Sequence, residues 1–159
     1  MKTMRIRRPE PAMAGRQAEW IVAIEPWLSL GYQRANLGRY LRRMTRAKQV
    51  LVAEDKGQIL GILVHQPDFL LGRFIALLAV RPETGGRGFG RALVEGIEKE
   101  TFKTRRWLYV SSDSANLPAA RFYKKLGFSR AARLPGLIRD GRTEILWRKA
   151  RPTHGQPGE

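Results

Sequence analysis

The sequence predicts one α/β (α+β) domain, with a mixed central sheet of about seven strands flanked by about four helices. Three observations lead there. At 159 residues the chain has room for one ordinary domain, which would bury roughly two-thirds of the surface its unfolded form exposes. Apolar runs rich in β-branched residues alternate along it with segments whose apolar positions recur at helical spacing. Two turn signals, Asp55-Lys56-Gly57 and Asp140-Gly141, join neighbouring apolar runs as hairpins, whereas helical segments separate the others. Hairpins give antiparallel pairs and helical crossovers give parallel ones, so the sheet is mixed, with helices on both faces.

The elements follow in order. Residues 4–8 form a short first strand, followed by a helix over 14–24 that ends before Pro26. A second helix spans 32–45, with Leu37, Tyr40, Leu41 and Met44 on one side. Residues 49–54 and 58–65 are the strands of the first hairpin, and Gln66-Pro67-Asp68 turns the chain into a third run, 69–80. A glycine-rich loop and a helix over 88–101 come next, then a strand at 107–111. After Asp113 a helix covers 117–126, with Pro118 in its first turn and Gly127 just past its end. Runs 129–138 and 143–149 flank the second hairpin signal. The domain is taken as residues 1–150; residues 151–159, with two Pro and two Gly, read as a disordered tail.

Composition removes several function classes. A 43% hydrophobic content is too high for wholesale disorder. No apolar run approaches the roughly 20 residues of a membrane span, and the N-terminus lacks the apolar core of a signal peptide, so no membrane partner and a cytoplasmic location are expected. With no cysteine there is no disulfide framework, thiolate nucleophile or zinc-thiolate site. Two histidines, His65 and His154, argue against a histidine-rich metal site, so no metal is expected. The net charge of +16, with 22 Arg against 8 Lys, raises the question of a polyanion. A dense basic set, Arg34, Arg39, Arg42, Arg43, Arg46 and Lys48, contains no acid. Most of it falls opposite the apolar side of the second helix, and the simplest reading is a solvated face.

The most informative stretch is 80–93, where an apolar run stops at Pro82 and a loop with Gly85, Gly86, Gly88 and Gly90 opens into an amphipathic helix. Glycines let a backbone take positive φ and approach a ligand, and the first N–H groups of a helix lack internal partners, so this is a phosphate cradle. Two phosphate-loop patterns fail. The dinucleotide pattern G-x-G-x-x-G would need Gly where the chain has Arg91 or Leu93. The Walker pattern finds Gly85 and Gly90, but Arg91 and Ala92 replace its Lys and hydroxyl.

Val80-Arg81-Pro82 followed by Gly85-Gly86-Arg87-Gly88-Phe89-Gly90 resembles the acyl-CoA loop of the GNAT superfamily of N-acetyltransferases, [QR]-x-x-G-x-[GA] after a strand ending V-x-P, except at the first position. Downstream, Asn116, Ala119, Tyr123, Lys125, Gly127 and Phe128 are similar to the family's second signature, N-x-x-A-x-x-x-Y-x-K-x-G-F, at every spaced position. The order of strands and helices also fits that family from about residue 4 to 150.

The resemblance implies acetyl-CoA as co-substrate. Its pyrophosphate would lie on backbone N–H groups of residues 86–91, that is Gly86, Arg87, Gly88, Phe89, Gly90 and Arg91. The pantetheine arm would pair like an extra strand with Leu78, Ala79 and Val80. Arg87 and Arg91 either add charge to the phosphates or are simply solvated. Gly85 is a departure, because the family usually has Gln or Arg there; this removes one polar contact, on the order of 1 kcal/mol of cofactor affinity. Asn116 either contacts the pantetheine or caps the helix that follows.

Acetyl transfer needs a deprotonated amine, a polarised thioester carbonyl and an acid for the leaving thiolate. By resemblance Tyr123 is the general acid; otherwise it is a core tyrosine beside Phe122. A phenol of pKa about 10 facing a thiol of about 8.5 donates uphill by about 2 kcal/mol, which hydrogen bonding in a dry site can offset. A backbone N–H near Leu78 would polarise the carbonyl. Run 69–80 contains no carboxylate to act as base. Glu25, in the break between the first two helices, is the first candidate, with a surface acid at a helix end as the alternative; Glu83, Asp113 and Glu144 follow, or a water relay.

The acceptor is an amine, on a protein (an N-terminus or lysine) or a small molecule. The +16 charge disfavours a strongly cationic acceptor at low salt, unless local acids such as Glu25 override it within a Debye length of about 10 Å at 0.1 M. A homodimer is a further expectation. The alternative function class is a non-catalytic CoA-binding module, or a basic nucleic-acid-binding one; retention of Tyr123 favours the enzyme.

Overall fold

The alternation Arg5-Ile6-Arg7 makes a short edge strand, β1 (Arg5–Arg7), antiparallel to β2 (Val50–Asp55) with Ile6 opposite Ala53, in a computed structural model that describes residues 4–153. A single 3-10 turn begun by Pro11 leads into α1 (Ala14–Ile21), which buries Ala14, Gln17, Ala18 and Ile21 on one face. The expected helix to residue 24 tightens early. Ala23 and Ile24 N–H groups reach back only three residues, to Trp20 and Ile21, because Pro26 disfavours helical backbone just before it. α2 (Arg34–Arg46) buries Leu37, Gly38, Leu41 and Thr45. A Cβ on Gly38 would lie 3.9 Å from that of Ala18, so small residues meet where the two helices cross.

β2 and β3 (Gln58–Phe69) form the first hairpin with Asp55 opposite Gln58. Lys56 and Gly57 both take positive φ, the geometry of a tight hairpin turn. β3 then corrects the sequence reading, because Gln66-Pro67-Asp68 stays in the strand. The register with β2 ends at Val64, so Pro67 lies where its missing N–H removes no bond to that neighbour. The turn falls instead at Leu70-Leu71, both at positive φ and both exposed. Such backbone costs roughly 1–2 kcal/mol per non-glycine residue, and local contacts offset it. The Tyr109 hydroxyl donates to the Leu70 carbonyl at 3.1 Å, Phe69 packs on Phe74 and Tyr109, and Arg105 pairs with Asp68.

β4 (Gly72–Val80) starts at a glycine because a Cβ there would collide with the Trp107 carbonyl. Its first residues, Gly72 to Ile75, pair in parallel with Trp107 to Val110 of β5 (Trp107–Asp113). Between them runs α3 (Phe89–Thr101), where Leu93, Val94 and Ile97 are fully buried. Gly96 brings α3 close to the sheet, since a Cβ would sit 3.4 Å from Ile6. α4 (Leu117–Lys125) precedes β6 (Ser129–Pro135) and β7 (Thr143–Ala150), and β7 lies antiparallel to both β5 and β6.

The strands make one seven-stranded mixed sheet in the order β1-β2-β3-β4-β5-β7-β6, with four α-helices among the described residues. The second hairpin is wider than the Asp140-Gly141 signal predicts. β6 stops at Pro135, and 136–142 form a loop closed by the Gly136 N–H on the Arg142 carbonyl at 2.8 Å. Of the expected tail, 151–153 have no regular structure and 154–159 lie outside the described residues. Packing divides the chain into two compact units. The first holds the stretch up to His65 and Leu77–Ile97; the second holds Gln66–Ala76 and everything from Glu98 on.

Candidate active site

The glycine loop belongs to the first unit. Arg81, directly after β4, fixes its start. Its N–H donates to the Leu60 carbonyl at 2.9 Å, its Nε donates to the Ile59 carbonyl at 3.1 Å, and its guanidinium lies over the Trp20 ring. Pro82–Thr84 make one 3-10 turn, held by buried Thr84, whose hydroxyl and N–H both donate to the Arg81 carbonyl. Gly86 and Gly88 follow at φ 78° and 87°, conformations that side chains resist. The N–H groups of Gly85 and Arg87 are held within the loop by the Pro82 and Thr84 carbonyls. The first-turn N–H groups of α3, from Phe89, Gly90 and Arg91, have no carbonyl four residues back within the helix. The geometry is that of a backbone cradle able to take an anion, with the Arg87 N–H already engaged.

The loop's arginine side chains are engaged elsewhere. Arg87 donates to Asp55 at 2.8 Å, with its guanidinium 5.0 Å from the Phe89 ring centre, and Arg91 pairs with Glu95 one turn along α3 at 2.8 Å. A Cβ at Gly85 would meet nothing closer than the Pro82 carbonyl at 3.5 Å, so this position has room for the family's larger residue. Leu78, Ala79 and Val80 lie on β4 beyond its pairing with β5, which runs from Gly72 to Ile75.

The second signature belongs to the second unit. Asn116 caps α4, its side-chain oxygen accepting from the Ala119 N–H at 3.1 Å, and Pro118 occupies the first turn, where no N–H is needed. The helix closes at Gly127, at φ 94°, with the Phe128 N–H returning to the Tyr123 carbonyl at 3.0 Å. Tyr123 is 7% exposed, edge-on to Phe122 and Phe128, with Trp147 at 6.5 Å between ring centres. Burial first, and the Glu144 carboxylate second, push its phenol above the usual tyrosine value. The hydroxyl therefore stays protonated at neutral pH.

The carboxylates differ sharply. Glu25 is a cap for the turn that follows it, accepting from the Ser29 N–H at 2.9 Å and from the Ser29 hydroxyl, and these bonds hold it below the usual glutamate range. Glu83 is exposed beside Arg81. Asp113 is held low by the Arg142 guanidinium at 2.9 Å and by the Ala115 N–H. Glu144 sits opposite Asp113 across β5 and β7. Burial lifts its carboxyl above the usual range, with Asp113 adding to the rise and a hydrogen bond from Ser111 opposing it. Sequence reasoning ranked Glu25 first and did not consider Asp55, Ser111 and Trp147, which tertiary folding brings to Arg87, Glu144 and Tyr123. Among the described residues no group of three or more His, Asp or Glu is placed to hold a metal ion, and no helix is long and apolar enough to cross a membrane.

Residues 46–130 match the acetyltransferase (GNAT) domain family. An uncharacterised N-acetyltransferase of Methanocaldococcus jannaschii is 32% identical over 108 residues, which cover 67% of this chain and 69% of the relative. The chain belongs to the GNAT acetyltransferase family; it is an acyltransferase, with acetyl-CoA as co-substrate. Two solved structures share its fold. Ard1 of Thermoplasma volcanium matches with a TM-score of 0.79 at 22% identity, over 95% of this chain and 99% of that one. The yncA protein of Salmonella typhimurium, solved with its cofactor acetyl-CoA, matches with 0.71 at 19% identity, over 98% of each.

Proposed function

We propose that the chain acetylates a primary amine by direct attack on acetyl-CoA within a ternary complex. The amine nitrogen forms a bond to the thioester carbonyl carbon, the carbon–sulfur bond breaks, and the thiolate takes the phenol proton of Tyr123. The pyrophosphate rests on the N–H groups of Gly86, Gly88, Phe89, Gly90 and Arg91, and the pantetheine runs along Leu78, Ala79 and Val80. The N–H near Leu78 polarises the carbonyl. The observation that carries this reading is the backbone cradle between β4 and α3, two positive-φ glycines leading into a helix start, in a chain of this family.

Two carboxylates compete as the base. A base needs affinity for a proton near working pH, and Glu144, lifted by burial, has more than Glu25, which Ser29 holds low. Glu144 also acts electrostatically on Tyr123. We assign the base to Glu144 and a turn-capping role to Glu25. The acceptor is an amine on a small molecule, or a protein N-terminus or lysine, outside strongly cationic contexts. A screen of amino acids, polyamines and peptides with acetyl-CoA, reading released thiol, tests the reading. Thiol release that depends on one acceptor class is expected; none above buffer, with acetyl-CoA bound, would make the chain a CoA-binding module.

A further inference from the structure

Helix α2 has a feature that acetyl transfer does not use. Its buried face is Leu37, Gly38, Leu41 and Thr45. Arg39, Arg43 and Arg46 are exposed on the opposite side, and Arg42 flanks them, half-buried with its guanidinium 3.8 Å from where a Cβ on Gly38 would sit; the spacing i, i+3, i+4, i+7 puts the four along one stripe about two turns long. Four pairs in this stripe are neighbours three or four residues apart, and each like-charge pair destabilises a helix by about 0.2–0.5 kcal/mol. No acid within the helix offsets that repulsion, because the chain has no Asp or Glu between Glu25 and Glu54. Arg39 bonds the Asn36 amide oxygen and Arg43 lies 5.6 Å over the Tyr40 ring; among the described residues none of the four has a carboxylate partner. Several other arginines of the first unit are paired: Arg7 with Glu54 and Glu10, Arg34 at the start of α2 with Glu19, Arg87 with Asp55.

We infer that this stripe is a docking surface for the phosphate backbone of a nucleic acid. Guanidinium forks bind phosphate oxygens in pairs, and four of them over about 10 Å of helix span two or three consecutive phosphates. A membrane surface is the poorer fit. A helix lying in a lipid interface buries large apolar side chains, whereas the exposed large hydrophobics, Leu28, Tyr32, Leu70, Leu71, Leu117, Leu137 and Ile138, are all off α2. The contact is sequence-independent, through charge and backbone geometry, and independent of the acetyl-transfer reading.

The test is fluorescence anisotropy of a labelled mixed-sequence RNA oligonucleotide across a salt series, with three proteins. These are the wild type, a stripe variant (Arg39→Gln, Arg42→Gln, Arg43→Gln, Arg46→Gln) and a dispersed variant with the same charge change (Lys56→Gln, Lys99→Gln, Lys103→Gln, Arg133→Gln). The stripe variant should lose at least about tenfold in affinity, and its slope of log affinity against log salt should shrink by about 2, from about 0.7 per phosphate contact on a single strand over two or three phosphates. The dispersed variant should stay within about threefold of wild type. If the stripe variant does not melt like wild type, the double change Arg42→Glu, Arg46→Glu replaces it with the same expectation. Equal losses in both variants, no wild-type binding at about 0.1 M salt, or tighter binding to anionic phosphatidylserine vesicles or polyglutamate than to RNA would each overturn the inference.

Discussion

The two signature regions are built by opposite means. In the loop between β4 and α3 the side chains contribute little: Gly86 and Gly88 have none, and Arg87 and Arg91 are engaged by Asp55 and Glu95. What the loop offers is backbone, held in shape by Pro82, Thr84 and positive-φ glycines. In α4 the backbone is ordinary, capped by Asn116 and closed by Gly127, and the proposed chemistry rests on one buried phenol. On the proposed reading, binding falls to main chain and catalysis to a side chain. Substitutions should then separate affinity from turnover.

The largest separation is expected at Tyr123. Tyr123→Phe removes only the hydroxyl and should lower kcat by about 10²–10⁴, the usual contribution of a general acid, while calorimetric affinity for acetyl-CoA stays within a few fold; equal losses in both would make Tyr123 a packing residue. Glu144→Gln comes next, with a fall in kcat/KM of about 10². Its pH profile sharpens the point. Activity through a carboxylate base rises with pH as the base deprotonates, so the acid limb should lie above the ordinary glutamate pKa of about 4.3, and Glu144→Gln should abolish it. A limb below that value, removed instead by Glu25→Gln, would return the base to Glu25. Asn116 should show the smallest effect. Asn116→Ala should cost about 1 kcal/mol of stability in chemical denaturation, and Asn116→Ser should restore it. A loss of acetyl-CoA affinity in the well-folded Ser variant would show that Asn116 also touches the donor.

Both signature regions were legible in the sequence, for the same reason. A positive-φ loop favours glycine and a helix start favours a cap, so these features are written in adjacent residues. The turn at Leu70-Leu71 was not legible. Leucine disfavours that backbone, Pro67 mimics a breaker three residues too early, and the compensating bonds from Tyr109 and Arg105 come from a distant strand and its approach. The environments of the candidate bases were similarly illegible. Glu25 stood out by its place between helices, but proton affinity depends on what surrounds a carboxylate. Ser29 lies four residues from Glu25, while Asp113 reaches Glu144 only through the β5–β7 register. Nor does local pattern tell that Arg87 is tied to Asp55, 32 residues earlier.

The contrast between main chain and side chain is tested most directly by titrating acetyl-CoA calorimetrically into two loop variants. Gly88→Val forces a β-branched residue to φ near 87°, a strain of about 1–3 kcal/mol that would reshape the cradle and should weaken binding at least about tenfold. The double variant Arg87→Ala, Arg91→Ala removes both guanidinium groups and should change the affinity less than about threefold, since exposed ion pairs contribute little. The reverse outcome, with Gly88→Val binding like wild type and the arginine variant losing tenfold or more, would contradict a backbone cradle and place the grip in the side chains.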